Sequence, residues 1–541
     1  MTDAISPATV NPPPLTIPQK RPLPVDERHT PTVASPLNPN ARVREERTKK
    51  PTAKARKDSP EPSAAKKNTK KAPKTDGVQR PIRYKLDPPR IADYEAPLPP
   101  TLVPVTEVKG QQFFEATEIV NNRKGFRYSD AIADPRFPSS LYNRQSEAPP
   151  YGARISFEDA SAQVLFSHNS ITTEKGFRMG RANVGVREGR WYYECRIVKG
   201  VKPPDSPEAG EIGGHVRVGW ARREASLEGP VGYDAYSYGI RDVGGQKVTR
   251  SRPVDFAASD LCEGDVIGLE ITLPSLSLHR KVVEGVYNKA VDTADDLDPA
   301  ASAEAPDIIR DRVIYHHRSR LYFEAYEYQP TKPLEDYMNP TPPPAKDVAD
   351  VDEPHPNHSC PQLRTLPFSN IKVYKNGVLL GAPFENLLAF LPPASGRNPQ
   401  QVGEQSRAEN LDDGMLGYYP AVSVFRGGTA ETNFGPNFWC PPPDLATDED
   451  VEMSDAVVDQ AAHARGSNAK LRPLSERYDE QIAEDIVYDI IDEVDFWALD
   501  GGEAEGAMKD LSEVGPASRP PVEMDNGAAV VMEGRKPAPM F

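Results

Sequence analysis

The stretch RWYYECRIV (residues 190–198) alternates as only an extended chain does. At a period of two, Trp191, Tyr193, Cys195 and Ile197 share one side of a strand. HVRVGWA (215–221) repeats the pattern with Val216, Val218 and Trp220 on one side, which turns Arg217 to the other. VIGLEITL (266–273), RLYFEAY (320–326) and YYPAVSVF (418–425) read in the same way. VYKNGVLLG (373–381) is a hairpin in which Asn376-Gly377 supplies the positive φ of a two-residue turn. Many short strands, Gly and Pro turns and few helical periods predict a mainly β fold, an antiparallel sandwich.

Composition argues against filling 541 residues with core. Only 38% is hydrophobic, and the 58 prolines are about twice an average share. Cys195, Cys262, Cys360 and Cys440 lie far apart with no C-x-x-C, which suggests neither a disulfide framework nor a paired-cysteine zinc site and fits a reducing compartment. No apolar run approaches a membrane span, and MTDAISPATVNPPP lacks the parts of a signal peptide.

Outward from the strands, the chain divides by composition. Residues 1–90 are Pro- and Lys-rich and are expected to be disordered. From Arg42 to Lys74 there are thirteen Lys or Arg against four acids. Its end, with Lys66, Lys67, Lys70, Lys71 and Lys74, suits a nuclear importer, nucleic-acid phosphates or a plain solvated linker. Residues 91–150 are expected to form an extension that packs on the sandwich, and 151–443 the sandwich itself. Pro- and Asp-rich stretches near 290–306 and 338–361 read as disordered surface insertions. The second holds His355, His358 and Cys360, three zinc-type ligands without a fourth, so it reads as a mobile, unliganded loop. An acidic linker at 444–471 leads to an amphipathic helix at 472–498 and a disordered tail at 499–541.

On that helix Ile482, Ile486, Val487, Ile490, Ile491, Val494 and Trp497 fall on one half of the cylinder. From Glu476 to Asp495 there are nine acids and one base, which set acidic residues against the helix dipole at its C-terminal end. Such a helix is marginal alone and needs a groove, either on its own β-domain or on another protein. A membrane surface is excluded by the acidic face.

Several of these blocks together resemble a SPRY (B30.2) domain: EKGFRMGRANVGVREGRWYYECRIV (174–198), RVGW, PVGYDAYSYGIR, EGDVIGLEI, IKVYKNGVLLGAPFENL and YYPAVSVFRGGTAETNFGPNFWCPP. Their order most resembles the SPRY subunit of COMPASS-type histone methyltransferase complexes, Ash-two in animals and Bre-two in yeast, in the shorter fungal form without a cysteine-built finger. The resemblance implies a non-catalytic, nuclear subunit. It would stimulate a SET-domain enzyme that methylates histone H3 at lysine four, together with an acidic segment of a β-propeller subunit. It places pocket residues at Arg217, Pro230, Tyr233 and Arg241, and an aromatic at Phe177 where the animal pattern has Tyr. It also implies that Ile482, Ile486, Ile490 and Val494 dock on a small dimeric subunit of the Dpy-thirty type, and that the basic tract touches nucleosomal DNA.

Two guanidiniums can grip carboxylates bidentately, and Pro230 and Tyr233 supply apolar walls. The competing reading pairs these arginines with the chain's own acids, such as Glu224, Glu228 or Asp234. A SPRY peptide-recognition adaptor of another complex, such as a ubiquitin ligase, is the alternative function, although four scattered cysteines build no RING or B-box. No P-loop, H-E-x-x-H, G-x-S-x-G or dinucleotide fingerprint is present, so no enzyme, cofactor, metal or catalytic residue is expected. His215, a lone histidine in a strand, reads as structural or exposed.

Overall fold

Two antiparallel sheets stack with the alternating apolar residues between them. The computed structural model describes residues 89–122, 125–135, 143–208, 213–295, 313–339, 353–397, 412–445 and 470–499. The first sheet has ten strands. Its centre is Gly189–Lys199, flanked by Val266–Leu273 and Thr429–Asn433. Trp191, Tyr193, Cys195 and Ile197 face the main core, 4% exposed or less, as their alternation predicts. The second sheet runs, in spatial order, Arg252–Val254, Lys247–Thr249, Ser237–Arg241, His215–Ala221, Tyr419–Phe425, Arg178–Ala182 and Ile155–Ala160. From it Val216, Val218 and Trp220 enter the same core. The hairpin at 373–381 forms as expected: Asn376 and Gly377 have φ of 51° and 80°, and Lys375 pairs with Val378.

The residues between 91 and 150 do more than lie on the sandwich. Thr101–Val108 and Gln111–Thr117 extend the ten-stranded sheet itself. Phe126–Ala133 and Asn143–Gln145 instead join Val313–His317 and Arg320–Tyr326 in a separate four-stranded sheet. RLYFEAY is therefore a strand, but not one of the sandwich. One partner, Val313–His317, is its hairpin neighbour, but the other lies almost two hundred residues away (Tyr322 opposite Asp130), and no local signal announces it.

Part of the second insertion is ordered. From Glu353 to Pro361 the chain is held by hydrogen bonds, Asn357 Nδ2 donating to Tyr287 O at 3.0 Å and Arg364 Nε to His358 O at 2.8 Å. His358 is 3% exposed, and its Nδ1 accepts from Cys360 N at 2.8 Å. These contacts overturn the mobile loop expected for His355, His358 and Cys360. Among the described residues no group of three His, Cys, Asp or Glu is placed to hold a metal. Residues 296–312, 340–352, most of the acidic linker, the tail, and residues 1–88 with Lys66, Lys67, Lys70, Lys71 and Lys74 lie outside the described residues.

Two arginines of the segment after HVRVGWA are structural. Arg222 is fully buried: it donates to Glu224 Oε1 at 2.5 Å, to Ser395 Oγ at 2.7 Å and to Ala389 O at 2.9 Å. Arg223 reaches Glu327 Oε2 at 2.6 Å and Asp159 Oδ2 at 3.0 Å, and Asp159 also takes two bonds from Arg181. Burying these charges is tolerable only because each is paired and hydrogen-bonded.

Candidate functional site

With Val216, Val218 and Trp220 committed to the core, the strand His215–Ala221 turns Arg217 to the outer face of its sheet. There Arg217 lies directly opposite Arg241 on one neighbour and opposite Ser423 on the other. Its guanidinium rests 4.7 Å over the Phe177 ring, and Phe177 packs on Phe425 at 4.8 Å between centroids. Arg241 Nη1 donates to Gln246 Oε1 at 3.1 Å. Sequence and structure thus bring Arg217, Arg241 and Phe177 together.

Among the described residues neither Arg217 nor Arg241 forms an ion pair. The acids that could have neutralised them are engaged elsewhere. Glu224 holds Arg222. Glu228 pairs with Arg178 at 3.0 Å and accepts from Ser161 Oγ. Asp234 accepts from Ser226 N, Tyr236 N and Ser237 Oγ. The in-chain pairing weighed from sequence is therefore ruled out for these acids. Burial and the like charge of Arg241 lower the Arg217 pKa, against a smaller upward pull from Asp242. Arg217 on its aromatic floor and Arg241 opposite it thus form a positively charged patch with no ion pair of its own among the described residues.

Pro230 and Tyr233 sit on the turn that follows. Tyr233 N donates to Pro230 O at 3.0 Å, and Tyr233 is 50% exposed. Gly232 has φ +82°, and a Cβ there would meet Val248 O at 2.4 Å, so only glycine makes this turn. Val231 N donates to the hydroxyl of Ser423, the residue opposite Arg217, which anchors the turn to the same sheet. Ser423 thus joins the turn to the arginine strand, and among the described residues neither Pro230 nor Tyr233 makes a hydrogen bond or ring contact with either guanidinium.

Sequence reasoning missed Phe425, Asp242, Gln246 and Arg426, and it read His215 as structural or exposed. The period of two puts His215 beside Arg217. The others come from remote strand ends. Arg426 is exposed, with its guanidinium 5.1 Å over the Phe425 ring.

A second surface is the C-terminal helix, Leu474–Leu499. It begins after a three-residue strand, Leu471–Pro473, that pairs in parallel with Gly189–Lys199. Leu474 is fully buried, and Arg477 donates to Gly185 O at 3.1 Å and to both oxygens of Glu484 at 2.7 and 2.8 Å. Beyond that docked first turn, the polar side leans on the domain, with Gln145 Nε2 donating to Asp485 Oδ2 at 2.8 Å. The apolar side is only partly covered: Ile482, Ile486, Ile490 and Val494 are 37%, 55%, 54% and 60% exposed. The β-domain therefore does not fully cover these anchors. Ile482 and Ile486 also help line a cleft of about 610 Å³ shared with Asp130, Glu158 and Tyr128.

No protein-family model matches the chain. Solved chains similar to it include a human SPRY domain, 13% identical with a TM-score of 0.24, covering 51% of this chain and 98% of that one. Curated proteins give closer likenesses. "COMPASS component cclA" of Colletotrichum higginsianum is 50% identical over 523 residues, covering 90% of each chain. "COMPASS component cclA" of Aspergillus fumigatus is 42% identical over 471 residues, covering 83% of this chain and 71% of the relative. "Set1 complex component ash2" of Schizosaccharomyces pombe is 40% identical over 419 residues, covering 77% and 52%. At such identity over nine-tenths of both chains, the chain belongs to the family of COMPASS components that includes cclA and ash2.

Proposed function

We propose that the chain is a non-catalytic, nuclear regulatory subunit that stimulates methylation of histone H3 at lysine four. It binds an acidic segment of a β-propeller subunit through Arg217 and Arg241, with Phe177, Pro230 and Tyr233 as apolar walls, and so supports the SET-domain methyltransferase. The observation that carries this reading is the pair of opposed arginines, neither of which forms an ion pair among the described residues. A carboxylate bound there gains two charged, partly desolvated contacts and relieves their mutual repulsion. The partly exposed apolar face at Ile482, Ile486, Ile490 and Val494 supports docking on a small dimeric helical subunit of the Dpy-thirty type. The basic tract holding Lys66, Lys67, Lys70, Lys71 and Lys74 is assigned to nuclear import and contact with nucleosomal phosphates.

The test is a titration of the acidic β-propeller segment into the whole chain and into Arg217→Ala and Arg241→Ala. Each substitution is expected to weaken binding by about 2–4 kcal/mol, or about 30- to 700-fold. Binding unchanged in both variants would remove the pocket assignment.

A further inference from the structure

Resting on the acidic-segment reading above, we infer that His215 is the third cationic contact of the Arg217–Arg241 site and makes its grip on carboxylates depend on the protonation of one imidazole. His215 stands two residues before Arg217 on the same strand, so the two side chains share the outer face. Its ring is tilted over Phe425 at 5.8 Å. Phe425 carries Phe177, and Phe177 carries the Arg217 guanidinium. One aromatic layer thus runs under both cations.

The ring orientation is fixed from behind. Asp242, 3% exposed, accepts from Val216 N at 3.0 Å and from Val243 N at 2.9 Å, and its Oδ2 lies 3.0 Å from His215 Nδ1. A carboxylate at Nδ1 requires a proton on that nitrogen. The neutral ring then presents a lone pair at Nε2, which repels an incoming carboxylate. The protonated ring presents N–H⁺ there instead. Among the described residues Nε2 has no partner, and the side chain is 28% exposed.

The charges around the ring are Asp242, Arg241 and Arg217, with Arg426 one residue beyond Phe425, its register partner. The hydrogen bond from Asp242 is the largest influence and outweighs burial and the two arginines, so the His215 pKa stands above its ordinary value. A bound carboxylate cancels part of the arginine field and raises it further. Affinity for an acidic ligand therefore rises as pH falls through the folded His215 pKa. Ligand glutamates stay ionised down to about pH 5.

The probe is a fluorescein-labelled, glutamate-rich peptide with interspersed aliphatic residues, titrated into the whole chain at about pH 6 and about pH 8. Wild type is expected to bind about fivefold tighter at the lower pH. His215→Gln loses that gain and binds equally at both. His215→Arg keeps a fixed charge, so it binds at least as tightly as Gln at both and shows no pH slope. Arg217→Ala weakens binding at both. A full pH slope retained in His215→Gln and His215→Arg, with Arg217→Ala still weak, overturns the role of His215 and leaves the acidic site standing. Binding indifferent to Arg217→Ala overturns the site and this inference with it.

Discussion

Arg223→Met should unfold the domain far more readily than Arg217→Ala, although both residues come from one short stretch. The Arg223 side chain is 5% exposed and makes three bonds to two carboxylates, Glu327 and Asp159. Methionine keeps the stem and removes the charge. Among the described residues Glu327, its side chain 11% exposed, would retain only the Tyr328 amide at 3.1 Å. Asp159 would keep both bonds from Arg181, at 2.8 and 2.7 Å. Breaking a buried pair costs about 3–5 kcal/mol, and the surviving Arg181 pair puts this case at the lower end, about 3 kcal/mol. At about 2–4 °C per kcal/mol for a domain of this size, Tm should fall by about 6–12 °C. Circular dichroism melts and urea midpoints at constant slope would measure it. Among the described residues Arg217 has no ion pair to lose, so its alanine variant should stay within about 0.5 kcal/mol of the parent. Acid unfolding gives a second reading. Burial works to raise the Asp159 pKa, but Arg181 and Arg223 outweigh it and hold it at about 2. A depressed carboxylate contributes stability above its unfolded value of about 3.9 that is lost as pH falls through the folded value. Without Arg223 the folded value rises, so that loss should be smaller and complete at higher pH. An Arg223→Met chain within about 1 kcal/mol of wild type would refute the division into structural and binding arginines.

Other substitutions have equally definite expectations. Burial and the neighbouring Glu158 push Asp130 up to about 7, so the folded state holds a proton the unfolded state has released, and stability is lost as pH rises from about 4 to about 7. Asp130→Asn should therefore stabilise the chain by about 1–2 kcal/mol at about pH 8 in a urea titration, allowing for solvent in the cleft. His279 is fully buried and accepts from Phe390 N and Leu391 N, and burial keeps its pKa well below the ordinary value. The unfolded chain takes up that proton first, so urea midpoints should fall as pH drops below about 6.5, and His279→Gln should flatten the slope. Ile486→Asp and Ile490→Asp alter exposed positions and should leave the melt unchanged within about 0.5 kcal/mol. The same changes should weaken capture of the small dimeric subunit by about 2 kcal/mol or more in calorimetry.

The sandwich was legible because its strands carry a period of two: Trp191, Tyr193, Cys195 and Ile197 inward, Arg217 outward. The Asn376-Gly377 hairpin was legible because two successive positive φ angles demand those residues. Arg222 and Arg223 could not be sorted from Arg217 and Arg241 by sequence. Their partners Ser395, Asp159 and Glu327 lie 173, 64 and 104 residues away, and only the fold brings them in. The four-stranded sheet was hidden for the same reason. For the C-terminal helix, the apolar stripe was readable but its direction was not. That direction follows from Leu474 and Arg477 docking the first turn, which leaves the isoleucines partly exposed, Ile482 and Ile486 at the cleft beside the domain.

The most direct test of the central claim is methyl transfer to histone H3 by the SET-domain and β-propeller subunits of the same species, with this chain added as wild type, Arg217→Ala or Arg241→Ala. The account predicts strong stimulation by wild type and its loss in either variant, with both variants folded as judged by their melts. Stimulation untouched by both substitutions would contradict the arginine-pair site, and no stimulation by wild type would contradict the regulatory function itself.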